Sequence, residues 1–285
     1  MEHIENPRTS TFTNSDGQHI FYRNWLPGDG KPKVIVIIIH GLNSHSGYYH
    51  NFALQLTNIN YEVYAIDLRG RGRSEGERYY IPDYQDILSD IDQLVGIAKG
   101  AHPSIPVFLF GHSAGGVFAS VYAVQHQDKL GGLICESFAF HLPAPALALS
   151  AIKLMGYIIP HVRVVKLNNA DFSRDPAMVY KLNKDPLLED EKQPARTMQQ
   201  LLLAAEYLKR KMSAIRLPLL ILHGLADKAT NPSGSEYFME NASSSDKQLK
   251  LYEGHYHDLL NDKYNGIVIR DINHWLDERA RMPAK

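Results

Sequence analysis

The sequence predicts an α/β protein: a mostly parallel central sheet flanked by helices, with an inserted helical cap. Three observations carry that prediction. Short, continuously apolar runs alternate with stretches of helical periodicity, the rhythm of strands joined by crossover helices. The rhythm lapses once, between about His141 and Ser213. One strand-like run, Val107 to Phe110, passes straight into a glycine-flanked serine and then into a helical stretch ending near Gln125.

At the front of the chain, alternating residues around Asp16-Gly17 predict an antiparallel hairpin that starts the sheet. Val34-Ile35-Val36-Ile37-Ile38-Ile39 is continuously apolar and β-branched, as a strand buried on both faces requires, and is far too short to span a bilayer. Further strands are predicted at Tyr61 to Ile66, Val107 to Phe110, Gly132 to Cys135, Leu217 to Leu222 and Gln248 to Tyr252. Between the Tyr61 and Val107 runs, Tyr84, Ile87, Leu88, Ile91, Leu94, Val95 and Ala98 recur on one helical face, with Asp83 placed to cap the helix and Gly100 to stop it.

No strand is expected between His141 and Ser213. Leu142 to Pro160 carries one charge, Lys153, but Pro143, Pro145, Gly156 and Pro160 count against a membrane span and favour a helix packed over an apolar site. Arg196 to Lys211, with Met198, Leu201, Leu202, Ala205 and Leu208 aligned, is a second amphipathic helix. The last helix aligns Tyr264, Ile267, Val268, Ile272, Trp275 and Leu276, with Asp262 as its expected cap. The expected organisation is one core, residues 1–140 and 214–285, with a cap of residues 141–213 inserted into it.

Composition narrows the function. Among 285 residues, 30 Lys and Arg balance 31 Asp and Glu, so no basic excess exists to neutralise phosphates and nucleic acid is not an expected partner. Cys135 is the single cysteine, which excludes an internal disulfide framework and any CxxC zinc or redox site. Met1 to Pro7 shows no basic segment followed by an apolar run, so a cytoplasmic location is expected, peripheral to a membrane if the apolar cap helix presents a face to lipid. The same face would also suit a dimer contact, and the sequence leaves the oligomeric state open.

Gly111-His112-Ser113-Ala114-Gly115 is a GxSxG pattern between a strand and a helix. A serine nucleophile must be pushed out on a sharp strand-to-helix turn, which closes only with very small neighbours two positions away. A serine hydroxyl needs a base, and the base needs an orienting acid, in the chain order Ser, acid, His for this arrangement. Asp227 follows the strand Leu219 to Leu222, and His255 and His257 follow the strand ending at Tyr252. Glu136 is a second possible acid, because it too closes a strand and precedes His257. Cys135 beside it reads as a small buried hydrophobe. The oxyanion formed on attack needs two N–H donors, and the amides of Ala114, after the nucleophile, and Leu42, in the loop after the first long strand, stand in the expected places.

Metal chemistry is not expected. His255 and His257 form only a two-histidine fragment with no second cluster at ligand spacing, and His40, His45 and His50 do not share a helical face. Asp67 to Ser74, with Gly70 and Gly72, lacks the GxxxxGK[ST] pattern and reads as a glycine turn rather than a phosphate loop. No cofactor is called for.

Taken together, His40-Gly41 with His45-Ser46-Gly47, Asp67-Leu68-Arg69-Gly70 with Gly72 and Ser74, Gly111-His112-Ser113, the Asp227 loop, and Tyr252-Glu253-Gly254 leading to Tyr256-His257 resemble the α/β-hydrolase fold. The branch they resemble is that of the monoacylglycerol lipases and lysophospholipases, and the likeness covers nearly the whole chain. The resemblance implies a triad of Ser113, Asp227 and His257, oxyanion amides at Leu42 and Ala114, and a cap over an apolar acyl tunnel. It also favours His257 over His255. It implies a lipophilic ester substrate, with monoacylglycerols as the type. Animal members carry a glutamate and an arginine after the His-Gly pair, and a second histidine three residues past the catalytic one. Here those positions are Ser44, Tyr48 and Leu260, candidate substrate contacts that offer fewer hydrogen bonds to select glycerol, so the alcohol side is expected to be broader or more apolar.

Overall fold

The computed structural model describes residues 6–28 and 31–280. The chain opens with β1 (Arg8–Thr13) and β2 (His19–Trp25), paired antiparallel around the Asp16-Gly17 turn. Then follow β3 (Val34–Ile39), α1 (His50–Thr57), β4 (Tyr61–Ile66), α2 (Tyr84–Ala101), β5 (Val107–His112), α3 (Ala114–His126) and β6 (Gly132–Glu136). After β6 the chain leaves the sheet for α4 (Ala146–Ile158), β7 (Arg163–Val165), α5 (Pro176–Lys184), β8 (Gln193–Pro194) and α6 (Ala195–Lys211). It returns through β9 (Leu219–Gly224), α7 (Ser233–Asn241), β10 (Lys247–Tyr252) and α8 (Gly266–Ala280). The main sheet has eight strands in the order β1-β2-β4-β3-β5-β6-β9-β10, and β3 through β10 of that sheet run parallel, with β2 antiparallel to its neighbours.

Strict alternation along the strands sends their side chains into two cores. Ile35, Ile37 and Ile39 join the core that takes Leu88, Ile91 and Leu94 of α2 and Val117 and Val121 of α3. Val34, Val36 and Ile38 face the other, with Phe52 and Leu56 of α1 and Val268, Ile272 and Trp275 of α8. A sheet covered on both faces explains why these strands read as unbroken apolar runs.

Three local expectations need correction. Gly100 does not stop α2, which runs on to Ala101; the first non-helical residue, His102, precedes Pro103, and the proline ring disfavours helical geometry in the residue before it. Asp83 does cap that helix, accepting the Gln85 amide at 2.9 Å. Asp262 is not the cap of α8: its carboxylate accepts the Arg174 amide at 2.7 Å, Arg174 Nε at 2.8 Å and the Tyr256 amide at 2.9 Å, fastening the inserted segment to the loop after β10. The segment between β6 and β9 also contains strand pairing where none was expected, the short antiparallel contact of β7 with β8.

Trp275 is buried and meets Phe108 edge-on, with ring centroids 5.7 Å apart. Trp275→Ala should therefore cost about 3–5 kcal/mol in equilibrium denaturation, the range for truncating a buried aromatic.

Candidate active site

The β5–α3 junction is a forced turn. Ser113 sits at φ 55°, ψ −121°, outside the regions a residue with a Cβ prefers, and such strain persists only where surrounding contacts hold it. Its N–H donates to Glu136 O at 2.9 Å, and its carbonyl accepts the amides of Gly116 and Ala139, each at 3.0 Å. A Cβ on Gly115 would lie 2.2 Å from Ile39 O, and one on Gly41 would lie 2.7 Å from Ser113 Cβ. Hydrogen at both positions is what lets the loop after β3 close against the Ser113 turn. That loop carries Leu42, and the α3 start carries Ala114; among the described residues neither amide is donated to a protein acceptor. His40 anchors the loop from below. Its Nε2 accepts the Leu68 amide at 3.0 Å and its Nδ1 donates to Gly41 O at 2.7 Å; burial lowers its pKa to about 4, so the ring is neutral.

Asp227 stands in the turn that closes β9. One oxygen accepts the amides of Ala229 (2.7 Å) and Thr230 (3.0 Å). The other accepts from His257 Nδ1 at 2.8 Å, His223 Nε2 at 3.0 Å and Thr230 Oγ1 at 2.7 Å. Burial alone would raise the pKa of this carboxyl. The two histidines overcome that and hold it well below the usual carboxylate range. A carboxylate only accepts, so the Nδ1 of His257 carries the proton and its Nε2 lone pair is left available as a base. The imidazole packs against the His112 ring, centroids 4.9 Å apart, and meets Phe172 edge-on at 5.0 Å.

His223, Thr230 and Phe172 form part of this arrangement without having been singled out in the sequence. The signal for His223 was its place four residues before Asp227: the Asp227 amide donates to Gly224 O at 3.2 Å, and that turn folds the carboxylate back over the strand end. His223 is oriented in turn by Ser235 Oγ, 2.7 Å from its Nδ1. Phe172 comes from the inserted segment, and no local pattern announces it.

The other candidates are held by partners of their own. His255 points its Nδ1 at Glu253 O, 3.1 Å away, and is not joined to Asp227. Glu136 is buried and accepts the Leu260 amide at 3.2 Å; it groups with His112 and Asp258, one ligand-type atom from each lying within 4.8 Å of the others. Tyr48 donates its hydroxyl to Asp185 at 2.7 Å and lines a surface groove with Arg23, Trp25 and Lys181. Ser44 is buried and hydrogen-bonded to the Tyr49 hydroxyl, and Leu260 is buried in the core on the α8 side of the sheet. Asp67 organises the glycine turn, accepting from Ser46 and from the Arg73 amide at 2.8 Å.

Burial and the neighbouring Asp258 push the Glu136 pKa well above the ordinary glutamate value, against the pull of the Leu260 and Leu259 amides. A raised folded-state pKa means that this group supports folding fully at pH values below the unfolded pKa and less as pH climbs. Glu136→Gln keeps an oxygen for the Leu260 amide. Its Tm relative to the parent should rise by a few degrees between pH 5 and pH 8; a constant or falling difference would contradict the buried-acid account.

The chain matches the family model described as Hydrolase_4, serine aminopeptidase S33, over residues 30–264. It is 34% identical to the monoglyceride lipase of Rattus norvegicus over 271 residues, covering 93% of this chain and 89% of that one. It is 31% identical to the monoacylglycerol lipase of Mycolicibacterium smegmatis, covering 93% and 95%. The crystal structure of the monoacylglycerol lipase from Paleococcus ferrophilus superimposes with a TM-score of 0.82 at 28% identity, covering 91% of this chain and 99% of that one.

Proposed function

The chain belongs to the Hydrolase_4 family, with the α/β-hydrolase fold, and is a carboxylic ester hydrolase; we propose that its substrates are lipophilic monoesters of the monoacylglycerol type, cleaved through an acyl-enzyme on Ser113. The observation that carries the catalytic assignment is the 2.8 Å contact of His257 Nδ1 with Asp227 at the carboxyl end of the sheet, beside the strained Ser113 turn.

In this reading His257 Nε2 takes the Ser113 proton as Oγ attacks the ester carbonyl. The oxygen becomes negatively charged and is met by the amides of Leu42 and Ala114, the latter at the positive end of α3. The tetrahedral species collapses, His257 returns the proton to the departing alcohol, and water repeats the sequence on the acyl group to release the acid. Asp227 stays ionised throughout and steadies the imidazolium. Its two backbone amides and Thr230 fix the carboxylate before the reaction begins, so little reorganisation is needed.

The inserted segment, residues 141–213, acts as the cap in this proposal. Phe172 places it against His257, and α4 turns an apolar face outward: Leu147 is 83% exposed and Ile158 68%, with Leu154 and Tyr157 between them. No helix among the described residues is long and apolar enough to cross a membrane. Such a face suits transient contact with a lipid surface from which an uncharged ester is delivered. Ser44, Tyr48 and Leu260, proposed to flank the leaving alcohol, bear no charge, which favours tolerance on that side.

Ser113→Ala should lower kcat by about 10⁶ on a p-nitrophenyl ester, as loss of a serine nucleophile does. Asp227→Asn should cost about 10⁴, whereas Glu136→Gln should stay within about tenfold of the parent. Retained turnover in the first variant, or the reverse order in the other two, would move the assignment. Leu147→Ser with Ile158→Ser should slow hydrolysis of monoacylglycerol in vesicles by about fivefold or more while sparing a short soluble ester; equal rates on both would remove the surface role. A panel that favoured amides over esters would point to a peptidase instead.

A further inference from the structure

The loop that carries Leu42 is held from above by the inserted segment. Glu191, two residues before β8 starts, brings three donors to one carboxylate oxygen: a guanidinium nitrogen of Arg71, Nε2 of Gln193 at 2.6 Å, and the backbone N–H of Asn43 at 2.8 Å. Arg71 and Glu191 are both buried, and Arg71 also donates to Gln193 Oε1 at 2.7 Å. Asn43 follows Leu42 directly and takes φ 58°, a conformation that carries a cost for a residue with a Cβ. Its side chain is tied as well, to Asn169 of the inserted segment. Two residues further on, His45 meets Asp185 at 2.9 Å.

The ladder of β3 ends at Ile39, so backbone pairing with β4 and β5 no longer fixes the residues beyond it. A peptide N–H pinned at Asn43 sets the plane next to the one whose N–H must face the reacting oxygen. A buried ion pair kept only for stability would have no need of that N–H.

We propose that Glu191 is a positioning residue: its side-chain oxygen, supplied by the inserted segment, accepts the Asn43 N–H, fixes that peptide and so aims the Leu42 amide at the developing oxyanion. This rests on the reading of Leu42 as an oxyanion donor. It makes the formation of the hole depend on the seating of the inserted segment.

The test compares two double variants in the full-length chain. Both replace the charged pair with neutral side chains of similar size, an exchange buried pairs often tolerate. Arg71→Met/Glu191→Gln keeps an oxygen for the Asn43 N–H; Arg71→Met/Glu191→Leu removes it. Each is assayed per active site, titrated with a fluorophosphonate, on an ester and on the matching thionoester, whose sulfur is a poor acceptor for oxyanion-hole donors. The Leu variant should lose about 10- to 100-fold in kcat on the ester, in the range for a weakened oxyanion donor, with KM within about threefold. Its ester-to-thionoester rate ratio should shrink in step, while the Gln variant keeps both values near the parent's. If the two variants share kcat and the parent ratio, Glu191 serves stability alone and the proposal is overturned, whatever their Tm. A parent ratio near one would instead overturn the role of Leu42, and that result involves no Glu191 variant.

Discussion

The turn at Ser113 is the constraint around which the rest of this protein is arranged. A serine at positive φ between the central strand and its helix is unfavourable in isolation. It survives because Glu136, Gly116 and Ala139 hydrogen-bond its backbone and because Gly41 and Gly115 let the β3 loop press against it. The same closeness decides what the turn can do. It puts a hydroxyl at the carboxyl end of the sheet, beside the start of a helix, with the β3 loop adjacent, so the Ser113 hydroxyl and the Leu42 and Ala114 amides are fixed by one set of contacts.

Electrostatics at the neighbouring strand ends follow from burial. Removing Asp227 from water would favour its neutral form, which could not orient an imidazole. Five donors prevent that, two of them histidine nitrogens. Glu136, one strand over, lacks such company: burial dominates and its pKa rises. Two carboxyls at the same end of one sheet are thereby pushed in opposite directions, and only one is suited to stay ionised beside His257.

The central part of the fold is legible in the sequence because burial on both faces makes a strand predominantly apolar; β3, an unbroken β-branched run, and β4, apolar but for Glu62, coincide with their predicted stretches to the residue. Asp83 is legible as a cap because its partner, the Gln85 amide, lies two residues along. Sequence and structure differ where the deciding partner is distant or lies a few steps along: Pro103 rather than Gly100 ends α2, and Asp262 is taken by Arg174 from far away in the chain. The GxSxG turn and the acid and histidine loops could be placed by chain order. The contacts of His223, Phe172 and Glu191 could not, since each depends on a turn or an inserted segment that brings unrelated positions together.

Covalent chemistry at the Ser113 hydroxyl can be read directly by peptide mapping with mass spectrometry. The folded protein would be treated with a long-chain fluorophosphonate until ester turnover stops, then digested. One phosphonyl group per chain, on the peptide and residue of Ser113, is the predicted result. Stoichiometric labelling of another residue, or loss of activity with Ser113 unmodified, would contradict it.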